Sequence, residues 1–380
     1  MISGHMRDKR LIVLAALLLL VGAVFLNRSN TISIRTVEDS SSATTTIGGG
    51  GNGSGSGSGG QSVLADYKGR SPFTAETCDN WDHRPFAVML SGDSEARPIH
   101  GIGQADLMIE ASVLTNGVTR YMGLYICEEP SVLGSLRSAR HDFIPLVKGW
   151  DAIYGHWGGS VYALDILKTG VVDNINALAD RFGAYYRDES LPEPHNGFSS
   201  YGRLERWAER ANYRLSYDGG HYLHEVAAPT MKDRHDGSLG IGYPGKFKVI
   251  WNYDAARDFY LRRKGTQPEM DANTNTQVRA ANVLVLKTTS YQLNEDYNSL
   301  DLKGSGDLMA YIHGSEIKGL WEKTDDDAPL RFLGADKRDL VLAQGKIWVE
   351  IVENGQGVAW ESQGSPEPII ATSTTPTTSL

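Results

Sequence analysis

The strongest constraint on this chain is an uncharged apolar run near its N-terminus, residues 11–26 (LIVLAALLLLVGAVFL). The run has no polar face, so it does not resemble an amphipathic helix of a soluble domain. Its 16 residues are near the lower limit for crossing a bilayer, which takes about 20. Arg7, Lys9 and Arg10 precede the run, which favours a cytoplasmic N-terminus and a folded body outside the cell. The sequence therefore predicts a single-pass membrane anchor.

The residues that follow this run bear on whether it is cleaved. A signal-peptide cleavage site needs small residues in an A-x-A pattern, whereas residues 24–28 read VFLNR. No cysteine stands at the end of the run, so lipid attachment is not expected there. An uncleaved anchor in residues 1–26 is the favoured interpretation, and a cleaved signal peptide is the alternative.

A glycine-rich segment separates the apolar run from the rest of the chain. Residues 27–62 contain nine glycines and fourteen serines or threonines, including the stretch GGGGNGSGSGSGG. Such a segment cannot bury enough apolar surface to fold, so we expect a disordered linker. As a flexible coil it spans about 30–36 Å. Residues 361–380, rich in Ser, Thr and Pro, are predicted to be a second disordered segment.

The remaining chain changes its pattern near the middle. In residues 63–230, strand-like runs alternate with helix-like runs, the clearest helix being 201–212 with Ser200 as a suitable N-cap. In residues 231–360, short β-branched and aromatic runs are separated by turns. The sequence predicts an α+β fold, with an N-terminal mixed α/β domain (63–230) followed by a smaller, mostly antiparallel β domain (231–360).

Individual elements can be placed within each half. The helix candidates are residues 139–149, 161–168 and 201–212. The strand candidates are residues 86–90, 107–113, 121–127 and 152–157 in the first half, and 247–253, 258–263, 282–287, 300–303, 308–313, 319–323 and 347–352 in the second.

Charge and cysteine content exclude several classes of protein. The net charge is −9, which argues against a general nucleic-acid binder, because such a protein needs a basic face. Two cysteines, Cys78 and Cys127, exclude a cysteine-rich scaffold and a four-cysteine zinc site. Outside the cytoplasm a cysteine pair is more often bridged than free. We therefore expect a disulfide, with two separately packed thiols as the alternative.

No motif predicts a cofactor or a metal. Residues 101–106 (GIGQAD) begin like a dinucleotide-binding loop, but Asp106 stands where the third glycine is needed. His221, His224 and His235 lie close in sequence, yet lack a defined scaffold with further ligands. We expect neither a cofactor nor a metal site.

A loop with two arginines is the best candidate for ligand binding. Residues 134–142 (GSLRSARHD) join a strand-like run to a helix-like run, and the N–H groups at the start of a helix favour anions. Arg137 and Arg140 can hold a carboxylate or phosphate bidentately, with Ser138 between them. The structural alternative is that Ser138 caps the helix and the arginines pair with nearby acids.

Two further motifs are predicted to converge on this loop. AIYGHWGGS ends a strand with His156 and Trp157, and ligands in α/β sheets usually bind at strand ends. The loop PEPHNGF presents His195 and Asn196. Both histidines are acid–base candidates, although each is also compatible with a structural role. Together with the arginines they predict a polar cleft.

At this point the sequence resembles a known family. The motifs RPFAVML (84–90), ARPIHGIGQADLMIE (96–110), GVTRYMGLY (117–125), GSLRSARHDFIPL (134–146), AIYGHWGG (152–159) and PHNGF (194–198) resemble, in the same order, those of the YerB-like lipoprotein family. NVLVL, GSGDLMAYIHG and GKIWVEIV extend the resemblance into the second half, so that it covers about residues 70–355. The family is a bacterial domain of unknown function. The resemblance implies a two-domain layout and an envelope location, with an anchor in place of the lipid-attachment cysteine that many members carry.

These features predict a membrane-anchored, extracytoplasmic protein that binds an anionic ligand of the cell envelope, such as a peptidoglycan fragment, a polymer or a lipid headgroup. One alternative is an enzyme that hydrolyses or transfers envelope polymers with His156 or His195 as its base. Another is an assembly factor whose β domain docks a protein partner. No nucleic-acid partner is expected.

Overall fold

The computed structural model describes residues 63–64, 66–226 and 234–363. The predicted anchor in residues 11–26 and the predicted linker in residues 27–62 lie outside these described residues. Within the described part, no helix is long and apolar enough to cross a membrane. Most of the predicted C-terminal tail also lies outside it.

A ten-stranded mixed sheet forms the centre of the described body. Its strands, numbered in chain order, stand in the spatial order β19 (Arg331–Gly334), β18 (Ser315–Lys323), β17 (Gly304–Ile312), β14 (Asn282–Thr288), β20 (Ile347–Glu353), β2 (Leu107–Ser112), β3 (Thr119–Tyr125), β1 (Phe86–Ser91), β5 (Ile153–His156) and β6 (Asn174–Asn176).

Strands from both halves of the sequence meet inside this sheet. β20 lies between β14 and β2 and runs parallel to both, with Ile347 opposite Asn282 on one side and Leu107 on the other. β1 pairs with β3 antiparallel and with β5 parallel. The two predicted domains therefore contribute to one sheet, and their limit near residue 230 stays a prediction.

A second sheet and two small sheets complete the β structure of the described residues. The second sheet has the order β12 (Gln267–Pro268), β11 (Phe259–Lys264), β10 (Val249–Asp254), β9 (Gly237–Ile241) and β21 (Val358–Ser362), with β13 (Arg279–Ala280) also paired to β11. The small sheets are β4 (Leu133–Gly134), β8 (Gly197–Ser199) and β7 (Tyr186–Arg187), and the pair β15 (Ser290–Gln292) and β16 (Asn298–Leu300).

Helices are short and few in the described part of the chain. The α-helices are α1 (Ile144–Gly149), α2 (Val161–Leu167) and α3 (Tyr201–Arg210), and the 3₁₀-helices are Ser94–Ala96, His141–Phe143, Ala177–Ala179 and Gly245–Phe247. The predicted N-cap of α3 is confirmed, because Ser200 Oγ accepts a hydrogen bond from the Arg203 N–H at 3.3 Å. The fold is a sheet-rich α+β fold, which confirms the predicted class.

The large sheet is buried on both of its faces. Ala87 and Met89 of β1 belong to a core that includes the apolar side chains of α1 and α2. Phe86 and Val88, which point the opposite way, belong to a core with α3 and the second sheet. Because each face is covered, all six residues of β1 are buried, as expected for a strand that reads as a continuous apolar run.

Two predicted elements are wrong in their bounds. The predicted helix 139–149 starts too early. The Ala139 N–H donates to the Gly158 carbonyl at 2.9 Å, and helical structure begins at His141. The strand candidate 300–303 shifts to Asn298–Leu300, where Leu300 pairs with Ser290. Every other strand candidate overlaps a strand by several residues.

The predicted disulfide is confirmed. Cys78 and Cys127 are bonded, with their Cα atoms 5.1 Å apart. The bridge ties the loop that precedes β1 to the chain just after β3. Asp106 fixes the second of these segments, because its Oδ2 accepts hydrogen bonds from the N–H groups of Ile126 and Cys127.

A buried charge network connects the two larger sheets. Arg262 on β11 is fully buried and donates hydrogen bonds to Glu110 on β2 and to Glu269. Its Nη2 also lies 3.7 Å from Glu350 on β20, whose pKa burial raises to about 7. Lys264, also on β11, donates to Glu110, and burial lowers its pKa to about 7. Three carboxylates thus enclose one guanidinium.

Removal of the disulfide is expected to destabilise the body substantially. The two cysteines are 49 residues apart, and closing a loop of this length contributes about 4 kcal/mol in the chain-entropy model. The double variant Cys78→Ala, Cys127→Ala should lose about that amount in urea denaturation. A reductant should destabilise the natural protein and leave the double variant unchanged. Equal stability of the two proteins would contradict the prediction.

Arg262→Met is expected to lower the free energy of unfolding by about 3–5 kcal/mol, because it leaves buried carboxylates without their cationic partner. Arg263→Met is the matched control. Arg263 is the next residue on β11, is only partly buried and donates to the Thr266 carbonyl, so its loss should cost about 1 kcal/mol or less. If both variants lowered the free energy of unfolding equally in urea denaturation, the buried charge network would not explain the effect of Arg262→Met.

Candidate functional site

Three segments that the sequence predicted to converge do meet at one cleft of about 130 Å³, which we call the arginine cleft. They are the loop after β4, the residues after β5 and the loop before β8. The lining residues are Leu136, Arg137, Ser138, Trp157, Arg187, Glu193, Pro194 and Gly197. Three of the predicted site residues, Arg137, Ser138 and Trp157, therefore line the same cleft.

Backbone hydrogen bonds fix the arginine loop against the sheet. The Arg137 N–H donates to the Met89 carbonyl at 2.9 Å, and the Arg137 carbonyl accepts from the Trp157 N–H at 3.0 Å. On the other side, the Leu136 N–H donates to the Gly197 carbonyl at 2.8 Å. A Cβ on Gly197 would lie 2.6 Å from the Trp157 ring, so glycine is required for this close approach.

Arginines are crowded around a single carboxylate behind the cleft. Arg120 Nη1 and Arg137 Nη2 each lie 3.3 Å from the same oxygen, Asp93 Oδ2. Burial, followed by the positive charges of Arg137 and Arg140, lowers the pKa of Arg120 to about 9 although Asp93 opposes the shift. Because a guanidinium keeps its proton in proteins, the consequence is a concentration of positive charge that Asp93 only partly neutralises.

Several buried donors in this cluster have no hydrogen-bond partner among the described residues. They are the Nε atoms of Arg120, Arg137 and Arg140, and Nδ1 of His195. Arg140 donates only to the Ala139 carbonyl, at 3.2 Å, and its guanidinium lies 5.3 Å from the centre of the Tyr297 ring. An unpaired buried polar group costs about 1–3 kcal/mol, so this cluster is a locally unfavourable arrangement.

The N-terminus of a helix contributes little to this positive charge. Arg140 occupies the N-cap of the 3₁₀-helix His141–Phe143, which has no side-chain cap, and α1 has only six residues. The alternative interpretation of Ser138 as a helix cap is therefore wrong, because the chain is still extended at Arg140. The positive charge of this loop therefore comes from the arginine side chains rather than from a helix N-terminus.

His156 and Asn196 lie beside the cleft and support it. His156 is fully buried, with Nδ1 2.7 Å from the Gly158 carbonyl and Nε2 3.2 Å from Asn174 Oδ1. Burial lowers the pKa of His156. Asn196 is buried and accepts a hydrogen bond from Arg187 Nη1 at 2.6 Å. These contacts assign both side chains structural roles in this conformation.

His195 is the remaining acid–base candidate. The side chain of His195 is partly buried. The backbone N–H of His195 donates a hydrogen bond to the Pro192 carbonyl at 2.9 Å. Burial, with a smaller effect of the positive charge on Arg137, lowers the pKa of His195. The ring is therefore mostly neutral at pH 7, and it lies near the positive cluster without lining the cleft.

Sequence reasoning missed two important residues of the site. Arg187 covers the face of Trp157, with the guanidinium 4.8 Å from the ring centre, and pairs with Glu193 at 2.9 Å. Asp93 supplies the shared carboxylate. Neither residue belongs to a recognisable motif, and Asp93 and Arg187 are distant in sequence from the arginine loop, so only the three-dimensional arrangement indicates them.

Comparison with known proteins gives a consistent assignment. Residues 73–214 match the N-terminal domain, and residues 240–349 the C-terminal domain, of a family described as a protein of unknown function (DUF3048). The chain is 28% identical over 276 residues to YerB of Bacillus subtilis strain 168, whose name describes it as a candidate lipoprotein. This alignment covers 71% of the present chain and 82% of that protein.

A solved structure is also similar. The crystal structure of the Bacillus subtilis YerB protein matches with a TM-score of 0.69 and 25% identity, covering 76% of this chain and 99% of that one. The match therefore includes strands from both halves of the present sequence. With both domains present in order and the fold shared, this chain belongs to the YerB-like family.

Proposed function

We propose that this protein is held at the outer face of the cell membrane and binds an anionic ligand of the cell envelope in the arginine cleft. The supporting observation is the pairing of Arg120 and Arg137 with the single carboxylate of Asp93, while the Nε atoms of both arginines have no hydrogen-bond partner among the described residues. Arg137, Ser138 and Arg187 line the cleft and contact the anion, while Arg120 and Arg140 add positive charge from behind.

The location follows from the N-terminal sequence and from the relative. Residues 11–26 anchor the chain as a single-pass segment, residues 27–62 hold the body away from the bilayer, and the body lies outside the cytoplasm. The description of YerB as a candidate lipoprotein supports membrane attachment. In this chain an apolar segment takes the place of an attached lipid.

The enzyme alternative has two candidate bases, and the contacts of one of them do not support that role. His156 is buried with both ring nitrogens engaged, which leaves only His195 for such a mechanism.

The docking alternative needs an apolar patch on the second half of the chain. Between residues 247 and 352, all of which are described, Tyr291 and Leu293 are the only exposed large apolar side chains. Anion binding is therefore the function that the geometry supports best.

Binding of a simple anion should stabilise the protein through this cleft. In thermal unfolding of the full chain in non-ionic detergent, saturating inorganic phosphate should raise the melting temperature by about 4 °C relative to chloride at equal ionic strength. Arg137→Gln and Arg140→Gln should each remove most of this shift. Arg338→Gln, which changes a highly exposed arginine, is the matched control. A phosphate effect equal in all four proteins would contradict the proposal.

The charge crowding also predicts the behaviour of His195. Its pKa, measured by NMR titration of the imidazole ring, should lie below the ordinary value of about 6.5. Arg137→Gln should raise the pKa, because it removes a nearby positive charge, and phosphate should raise it in the natural protein for the same reason. Arg338→Gln should leave it unchanged. A pKa insensitive to both Arg137→Gln and phosphate would show that His195 does not sense the cluster.

A further inference from the structure

A second cavity lies directly beside the arginine cleft. Its volume is about 610 Å³, and we call it the Lys264 cavity. Its lining residues are Gly92, Ser94, Arg97, Pro98, Lys246, Phe247, Lys264, Gln267, Pro268, Glu269, Met270, Asp271, Ala272 and Asn275. The short loop 92–97 contributes to this cavity and also provides Asp93 to the arginine cluster.

Asp93 contacts a lining residue of each cavity, one through its side chain and the other through its backbone. Its carboxylate lies 3.3 Å from Arg137, which lines the arginine cleft. Its backbone carbonyl accepts a hydrogen bond at 2.6 Å from Arg97, which lines the Lys264 cavity. Since both guanidinium groups bond to one residue, they are at most about 11 Å apart. A ligand of a few repeating units can therefore reach both.

The Lys264 cavity adds cations to those of the arginine cleft. Lys246 is 55% exposed and its bond to Glu95 is equally exposed, so this pair is weak and Lys246 is available to another anion. Arg97 is one-fifth exposed beside its partner Glu269. Lys264 lies deeper, bonded to Glu110. Glu269 and Asp271 also line the cavity, and Arg97 and Lys264 already have carboxylate partners, so Lys246 is the most available of its cations.

The arrangement favours phosphate over carboxylate. Two guanidinium groups from separate parts of the chain line the arginine cleft, Arg137 from the loop after β4 and Arg187 from β7, where Glu193 pairs with Arg187. A carboxylate is planar and is matched by one guanidinium fork, whereas a phosphate offers several oxygens in a tetrahedron to donors from different directions. Repeated phosphates would also use the separate cations of the neighbouring cavity.

We propose that the ligand is a linear envelope polymer with a phosphate on each repeat, bound across the arginine cleft and the Lys264 cavity along the loop 92–97. This rests on the proposed anion-binding function of the arginine cleft. The ligand class is inferred from the additional cationic side chains beside the arginine cleft, of which Lys246 is the most exposed. Once the first phosphate is bound, a second phosphate of the same polymer binds intramolecularly. The affinity per phosphate should therefore increase with chain length.

The test uses the full chain in non-ionic detergent, with orthophosphate and polyphosphates of defined length as probes at constant ionic strength. We expect a chain of about ten phosphates to bind at least about tenfold more tightly, per phosphate, than orthophosphate. Lys246→Gln should reduce this gain several-fold while leaving orthophosphate affinity unchanged. Lys248→Gln, which changes an exposed lysine two residues away that does not line the cavity, is the matched control.

The outcomes separate this inference from the function on which it rests. Orthophosphate binding that requires Arg137, with an affinity per phosphate that does not rise with chain length, would contradict the polymer assignment. The same holds if Lys246→Gln behaves like Lys248→Gln. In both cases anion binding in the arginine cleft remains supported. If Arg137→Gln leaves orthophosphate binding intact, the proposed function itself fails. A galacturonate oligomer of equal length that binds as tightly as polyphosphate would overturn the choice of phosphate.

Discussion

The buried guanidinium of Arg262 is the interaction on which the arrangement of the two larger sheets depends. It lies on β11 and meets Glu110 on β2 and Glu350 on β20. A buried ion network adds little net stability, but any partner displaced from it leaves an uncompensated charge at high cost. A shift of β11 relative to β2 and β20 would separate these charges, so the network favours the observed position over other ways of packing two apolar surfaces.

The same network extends to the candidate site. Glu269, bonded to Arg262, also accepts a hydrogen bond from Arg97 at 3.0 Å, and Arg97 holds the carbonyls of Gly92 and Asp93. The loop that presents Asp93 to the arginine cluster is therefore fixed from the protein interior. This explains how several like charges remain close together: the backbone of the loop that carries Asp93 is held by Arg97, which lies outside the arginine cluster.

The candidate site was partly accessible from the sequence. Arg137 and Ser138 were identified as part of a loop entering a helix, and Trp157 as a residue at the end of a strand; the structure places all three at one cleft. His156 was an acid–base candidate with a structural role as the alternative, because a histidine at a strand end looks the same in sequence whether its ring faces solvent or the Asn174 amide. Arg187 was missed because it belongs to the two-residue strand β7, which no local pattern reveals.

The sequence by itself determined the α+β class, most strands, the N-cap at Ser200 and the cysteine pair, because these depend on local periodicity, capping chemistry and the presence of two thiols. It did not reveal that β20 inserts beside β2, more than 200 residues earlier in the chain. A parallel pairing of this kind leaves no mark in local hydrophobicity, since a strand buried on both faces accepts many neighbours. Only the tertiary structure decided that both halves share one sheet, and with it where the buried charges and the arginine cleft would form.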